Sequence, residues 1–181
     1  VAGAAGRGLR FLHAPVFMGP AMARESKGMM MVSGPQALFA QVQPTLAGMT
    51  TDLWYLGERP ELAAALKLFG NSMLFAMTGG IADILAMARN LDVDPVEAMS
   101  VFTRFNAGAA LSGRAQKIAH GDFSASFELT MARKDIRLML EAAGSELLVS
   151  LPSLAKRMDD AIAAGHGKDD LGAIAAPSLG R

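Results

Sequence analysis

One segment constrains this chain more than any other. From Glu61 to Asn90 apolar residues recur so densely that a long helix is the natural way to hold them. Leu62, Leu66, Phe69, Met73, Met77, Ile81, Ile84 and Ala88 step by three or four, the spacing of one helix face. Leu68, Phe75 and Leu85 make a second face apolar, and a helix apolar on most sides is expected at the centre of a protein. Gly79-Gly80 would weaken such a helix in isolation, so they are expected to mark close packing of a neighbouring backbone. A membrane span is the competing reading, because mean hydropathy is +0.28. The most apolar uncharged window, Leu68–Ala82, has 15 residues and contains Asn71 and both glycines. It falls short of the roughly 20 residues that cross a bilayer, so a buried helix and no membrane are expected.

The chain before this helix has a different rhythm. Leu9–His13 reads as a strand closed by Ala14-Pro15, since proline cannot donate to a ladder. Gly28–Ser33 reads as a second strand ended by Gly34-Pro35, Gln36–Thr45 as a short helix, and Asp52–Leu56 as a third strand closed by Gly57. Strand, helix and strand with short links form an α/β pattern. After the long helix, Asp94-Pro95 is an N-cap followed by proline at the first helical position, opening a helix to about Phe105. Further helices are expected over Ala110–Ala119, Leu129–Gly144 and Leu151 to about Gly165, with a last turn over Asp169–Ala175. The predicted fold is therefore mainly α. Residues 1–57 read as the end of a parallel α/β domain, and residues 58–181 as an all-helical domain.

Charge and composition exclude several functions. Lys plus Arg and Asp plus Glu both total 17. The first 57 residues carry net +2 and the remainder net −2, so a binder relying on neutralised nucleic-acid phosphates is not expected. Apolar residues make up 51% and charged residues 19%, which argues against disorder. There is no cysteine, hence no disulfide, thiol nucleophile or thiolate metal site. Thirteen methionines, including Met29-Met30-Met31, read as core filling. The opening VAGAAGRG has no signal-peptide pattern, and a cytoplasmic location fits the composition. Ala- and Gly-rich residues running into an apolar strand read as the middle of a longer protein.

Motifs for chemistry are few. There is no GxGxxG or GxxxxGK[ST]. His13, His120 and His166 lie far apart, so no histidine metal site is expected. Asp159-Asp160 and Asp169-Asp170 read as solvated helix ends. Three segments stand out. In the first, Lys67 sits near the start of the apolar helix with Asn71 one turn on, sharing a face. Its plain reading is a lysine whose stem packs and whose head reaches water. In the second, Lys134-Asp135 sits in a helix, plainly an ordinary charged face. The third, Ala14 to Pro20, follows a strand, where parallel sheets place ligands.

Taken in order, these segments resemble the β-hydroxyacid dehydrogenase family. That family includes 3-hydroxyisobutyrate dehydrogenases, tartronate semialdehyde and glyoxylate reductases and, more distantly, 6-phosphogluconate dehydrogenase. Family members carry D-A-P-V-S-G-G after a strand, here His13-Ala14-Pro15-Val16-Phe17-Met18-Gly19. They carry K-L-x-x-N on a long helix, here Lys67-Leu68-Phe69-Gly70-Asn71. They carry F-x-L-x-x-x-x-K-D, here Phe127 through Leu129 to Lys134-Asp135. The resemblance covers nearly the whole chain. It implies that residues 1–57 are the last α/β part of a Rossmann-like nucleotide-binding domain whose GxGxxG unit precedes this segment. It also implies that residues 58–181 are a helical substrate and dimerisation domain.

By that resemblance the protein is an oxidoreductase using NAD or NADP on a small hydroxy acid and its oxo or semialdehyde form. Lys67 would be the acid/base, within about 2.6–3.2 Å of the reacting oxygen. Phe17, Met18 and Gly19 would cradle the substrate carboxylate with their amides. Asn71 would hold the substrate, Phe127 and Asp135 would line its pocket, and Lys134 would reach the cofactor. A homodimer or tetramer through the helical domain is implied.

The departures are specific. Phe17 and Met18 replace the family's Ser and first Gly, which points to a more apolar substrate. His13 replaces Asp, and the turn Gly57–Leu62 has lost its later glycines. The competing readings are an imine reductase-like relative, which Lys67 counts against and the Phe17-Met18 loop counts mildly for, and a non-catalytic helical dimerisation module.

Overall fold

The computed structural model describes residues 7–180; the Ala- and Gly-rich opening, residues 1–6, lies outside them, as does Arg181. The chain is 62% helical with a three-stranded sheet, which bears out the mainly-α expectation. It forms two compact units, Val1–Phe75 and Ala76–Arg181.

In the first unit the sheet order is β1 (Val16–Phe17), β2 (Met29–Val32), β3 (Asp52–Tyr55). β2 and β3 run parallel, Met29 opposite Asp52 and Val32 opposite Tyr55. They are linked by helix α2 (Gln36–Ala47). β2 is buried on both faces, which is why it reads as an unbroken apolar run. Met30 and Val32 pack with Phe39 of α2. Phe39 in turn stacks on Tyr55 at 4.3 Å.

The first expected strand is corrected. Over Leu9–His13 there is only a bridge, His13 to Ser33; pairing with β2 resumes at Val16–Phe17, and it is antiparallel. Pro15 does not close the strand. It lies on the sheet edge, where its missing donor removes one ladder bond, and its carbonyl still accepts from the Met31 amide at 3.0 Å. A five-residue helix, α1 (Pro20–Arg24), was not foreseen; Pro20 sits where a helix has no use for an N–H.

Helix α3 (Leu62–Asn90) is the long helix, 29 residues in one piece. Its expected burial is overturned. Leu68 is 68% exposed and Phe75 is 73% exposed, with Phe69, Leu74, Met77 and Ile81 also open. Spacing shows that a helix is apolar all round; it does not show that the same chain covers it. By length and composition alone α3 could cross a membrane. Its Asp83, however, is buried within the second unit and fully hydrogen-bonded there.

In the second unit, Asp94 accepts from the Val96 and Glu97 amides and starts α4 (Pro95–Ser100) as expected. This α-helix stops short of Phe105 and tightens into a 3-10 turn over Val101–Thr103. Next come α5 (Leu111–Ala119), α6 (Leu129–Ala143) and α7 (Leu151–Ala161). The core lies between α6 and α7: Leu129, Ala132 and Ile136 against Ala155, Met158 and Ala161. Asp83 of α3 accepts from the amides of Val149, Ser150 and Leu151 and from the Ser150 hydroxyl. Those amides would otherwise be orphaned at the start of α7.

Candidate functional site

In the first unit the start of α3 is fastened to the sheet by two side chains. The buried Ser33 hydroxyl, just past β2, donates to the Pro60 carbonyl at 2.8 Å and accepts from the Ala63 amide at 3.0 Å. His13 Nδ1 donates to the same Pro60 carbonyl at 2.6 Å. A carbonyl can only accept, so Nδ1 carries the proton. His13 therefore has a local task that an aspartate could not perform in this geometry. Ser33 was not singled out by sequence, because nothing near it in the chain signals the contact 27 residues on.

This anchoring fixes the turns that carry Lys67 and Asn71. Both are half-buried and one turn apart on α3. The Lys67 ammonium lies 3.8 Å from the centre of the Phe17 ring. No hydrogen bond or carboxylate partner engages Lys67 among the described residues.

The loop amides are not equivalent. His13–Ser33 exchange both ladder bonds, and Met31 donates to Pro15. Antiparallel pairs alternate, so Phe17, opposite Met29, gives its amide to the ladder. The Met18 and Gly19 amides lie beyond it. Gly19 is exposed, and its carbonyl accepts from Ala23 at 3.0 Å. Two residues past the ends of the parallel strands β2 and β3 lie glycines with positive φ, Gly34 and Gly57, and the Gly34 amide donates to the Gly57 carbonyl at 3.0 Å.

In the second unit, Phe127 precedes α6 with its side chain partly open. Lys134 Nζ pairs with Asp135 at 3.0 Å, both about half exposed. Phe127 is placed by Asp170, which is 5% exposed. Asp170 accepts from the Ser126 amide and hydroxyl, the Phe127 amide, the Gly172 amide and Arg114. Burial pushes its pKa up, but these hydrogen bonds outweigh burial and hold it well below the usual carboxylate range. Asp170 is thus no solvated helix end, contrary to the reading of the Asp169-Asp170 pair. Asp159 and Asp160 are exposed, paired with Arg133 and Lys156. Among the described residues no cluster of three or more His, Asp or Glu could hold a metal ion.

Two family profiles match the chain. The profile described as NAD-binding of NADP-dependent 3-hydroxyisobutyrate dehydrogenase covers residues 62–177. That of the NAD binding domain of 6-phosphogluconate dehydrogenase covers residues 1–57. Among curated relatives, 2-(hydroxymethyl)glutarate dehydrogenase of Eubacterium barkeri is 27% identical over 94% of this chain and 58% of its own. L-threonate dehydrogenase of Haemophilus influenzae is 28% identical over 92% of this chain and 56% of its own. The chain thus spans little more than half the length of these relatives. Among solved structures, an imine reductase from Myxococcus stipitatus in complex with NADP+ superposes with a TM-score of 0.88. It is 16% identical and matches over 97% of this chain and 66% of its own. At that identity the likeness shows the fold.

Proposed function

We propose a function on the premise that this chain belongs to the 3-hydroxyisobutyrate dehydrogenase family of oxidoreductases. The protein interconverts a small hydroxy acid and its oxo or semialdehyde form, with Lys67 as acid/base. One observation carries this reading: a lysine on an anchored helix, next to the substrate-side loop, with no carboxylate to occupy its N–H groups among the described residues. In the oxidative direction the neutral Lys67 amine accepts the substrate hydroxyl proton at Nζ. In the reductive direction the ammonium returns it to the carbonyl oxygen. Asn71, on the same face, holds the substrate. The Met18 and Gly19 amides are the donors for its carboxylate, while Phe17 contributes its side chain.

The cofactor of this reading is NAD or NADP, which supplies or takes up the hydride when bound. The residues present fit one end of it. Parallel strands β2 and β3 end together at Val32 and Tyr55, just before Gly34 and Gly57, and α/β sheets bind ligands at the carboxyl ends of parallel strands. Lys134 would reach the cofactor, and Phe127 and Asp135 would line the pocket. The domain division at residue 57 is part of the same proposal. So are a cytoplasmic location and a homodimer or tetramer that covers the open apolar face of α3.

An imine reductase-like activity is the second reading, favoured by the apolar Phe17-Met18 loop. The deciding experiment assays the full-length protein on hydroxy acids, oxo acids and cyclic imines with both cofactors, beside Lys67→Ala. Turnover of an acid that collapses in Lys67→Ala with cofactor affinity kept supports the first reading. Imine turnover indifferent to Lys67→Ala supports the second and overturns the first.

A further inference from the structure

Phe17 does more than border the loop. The Cζ end of its ring rests against α3 at Gly70, where a Cβ would overlap Cζ and crowd both Cε atoms. Glycine at this position is therefore a seat for the ring. The same ring takes the Lys67 ammonium 3.8 Å from its centre. Lys67 and Gly70 are three residues apart on the helix, hence on one face.

An aromatic face attracts a cation through its quadrupole. A carboxylate would also hold Lys67, but it would take up directed N–H bonds and cancel the charge. The ring holds the charge from one side and has no lone pair to claim the N–H groups, of which an ammonium has three.

We propose that Phe17 is a positioning residue for Lys67: seated on Gly70, its ring fixes the ammonium and leaves the N–H groups for the substrate oxygen. The ring also gives the site an apolar wall. It selects oxo and hydroxy acids whose other substituent on the reacting carbon is alkyl or aryl, against those carrying a hydroxymethyl group there. This inference rests on the acid/base reading of Lys67.

The test uses the full-length enzyme with its cofactor and five variants: Phe17→Tyr, Phe17→Leu, Gly70→Ala, the Phe17→Leu/Gly70→Ala double variant and Lys67→Ala. Oxo acids bearing isopropyl or phenyl groups are compared with hydroxymethyl analogues. Phe17→Leu and Gly70→Ala should each lower kcat about ten-fold, and Phe17→Tyr should keep it. The double variant should lose no more than either single one, because both act through the same ring. In NMR spectra the Lys67 side-chain resonances should lose their ring-current shift in Phe17→Leu and in Gly70→Ala. Preference for the apolar substituent should fall in Phe17→Leu through KM. Gly70→Ala raises helix propensity, so it still decides the matter if Phe17→Leu folds poorly. An inactive Lys67→Ala beside Phe17→Leu and Gly70→Ala at wild-type kcat, with unmoved Lys67 resonances, overturns the ring's role and leaves the acid/base reading standing. Wild-type kcat in Lys67→Ala overturns the acid/base reading and the catalytic purpose of the ring with it.

Discussion

Lys67 and Asp170 are this protein's two most instructive charges, and they are held in opposite ways. Asp170 is buried and saturated, with three amides, a hydroxyl and a guanidinium pointing at it. Lys67 is half-buried and, among the described residues, has one ring for company. A saturated charge has no capacity left for a ligand. Its work is to fix the backbone between Ser126 and Gly172. A charge held by a ring keeps its donors. The contrast separates a charge that holds the fold from one whose donors stay open, as the proposed acid/base role requires.

Replacing each charge by alanine should split two readouts cleanly. Lys67→Ala is expected to lower kcat by about two to four orders of magnitude, the usual worth of a placed acid/base, while the melting temperature stays near wild type. Steady-state kinetics beside a thermal melt checks this. Asp170→Ala should do the reverse. It leaves Arg114 and several buried donors without their acceptor, and breaking a buried pair this way costs about 3–5 kcal/mol. Denaturant unfolding should show the loss. An unchanged midpoint would mean that Asp170 is not the structural charge its geometry describes.

What could be read from the sequence follows the same division. Apolar runs closed by glycine or proline placed β2 and β3, and apolar residues at helical spacing placed α3 and α6. Lys67 and Asn71 were legible because one helix sets their spacing. β1 was misplaced because an edge strand interrupted by Pro15 carries almost no pattern. The exposure of α3 was misread because an apolar helix looks the same whatever covers it. The seat of Phe17 on Gly70 joins residues far apart in the chain, and no local signal announces it. Asp170 was misread for a related reason: beside Asp169 it looks like any exposed acidic pair, and all its donors but the Gly172 amide come from Arg114, Ser126 and Phe127, more than forty residues away.

Asp83 extends the comparison to pH. It is 1% exposed. Burial raises its pKa, but the Ser150 hydroxyl and the amides of Val149, Leu151 and Ser150 lower it further, leaving a net depression. A carboxylate whose folded pKa lies below its unfolded value, near 3.9, contributes its full stability above that value. The contribution is lost as pH falls through the folded pKa. The wild type should therefore lose stability as pH drops below about 4, with the buried Asp83 and Asp170 among the contributing carboxylates. Asp83→Asn should cost about 2–3 kcal/mol at neutral pH, since the amide keeps one acceptor and turns a donor toward other donors. It should also flatten the acid limb. An acid limb as steep as wild type in Asp83→Asn would remove Asp83 from the account.

The smallest effect tests whether burial or pairing is what matters. Arg133 grips Asp159 with two hydrogen bonds, 2.8 and 3.0 Å long, a geometry as good as any around Asp170. Asp159, however, is more than half exposed, so water already solvates it and salt screens the attraction. Asp159→Ala is expected to cost under about 1 kcal/mol, a cost that shrinks further as salt is added. A loss comparable to that of Asp170→Ala would mean that bidentate geometry alone stabilises this fold. The small loss expected instead would assign the strength of Asp170 to its removal from water, where every unmet donor is expensive.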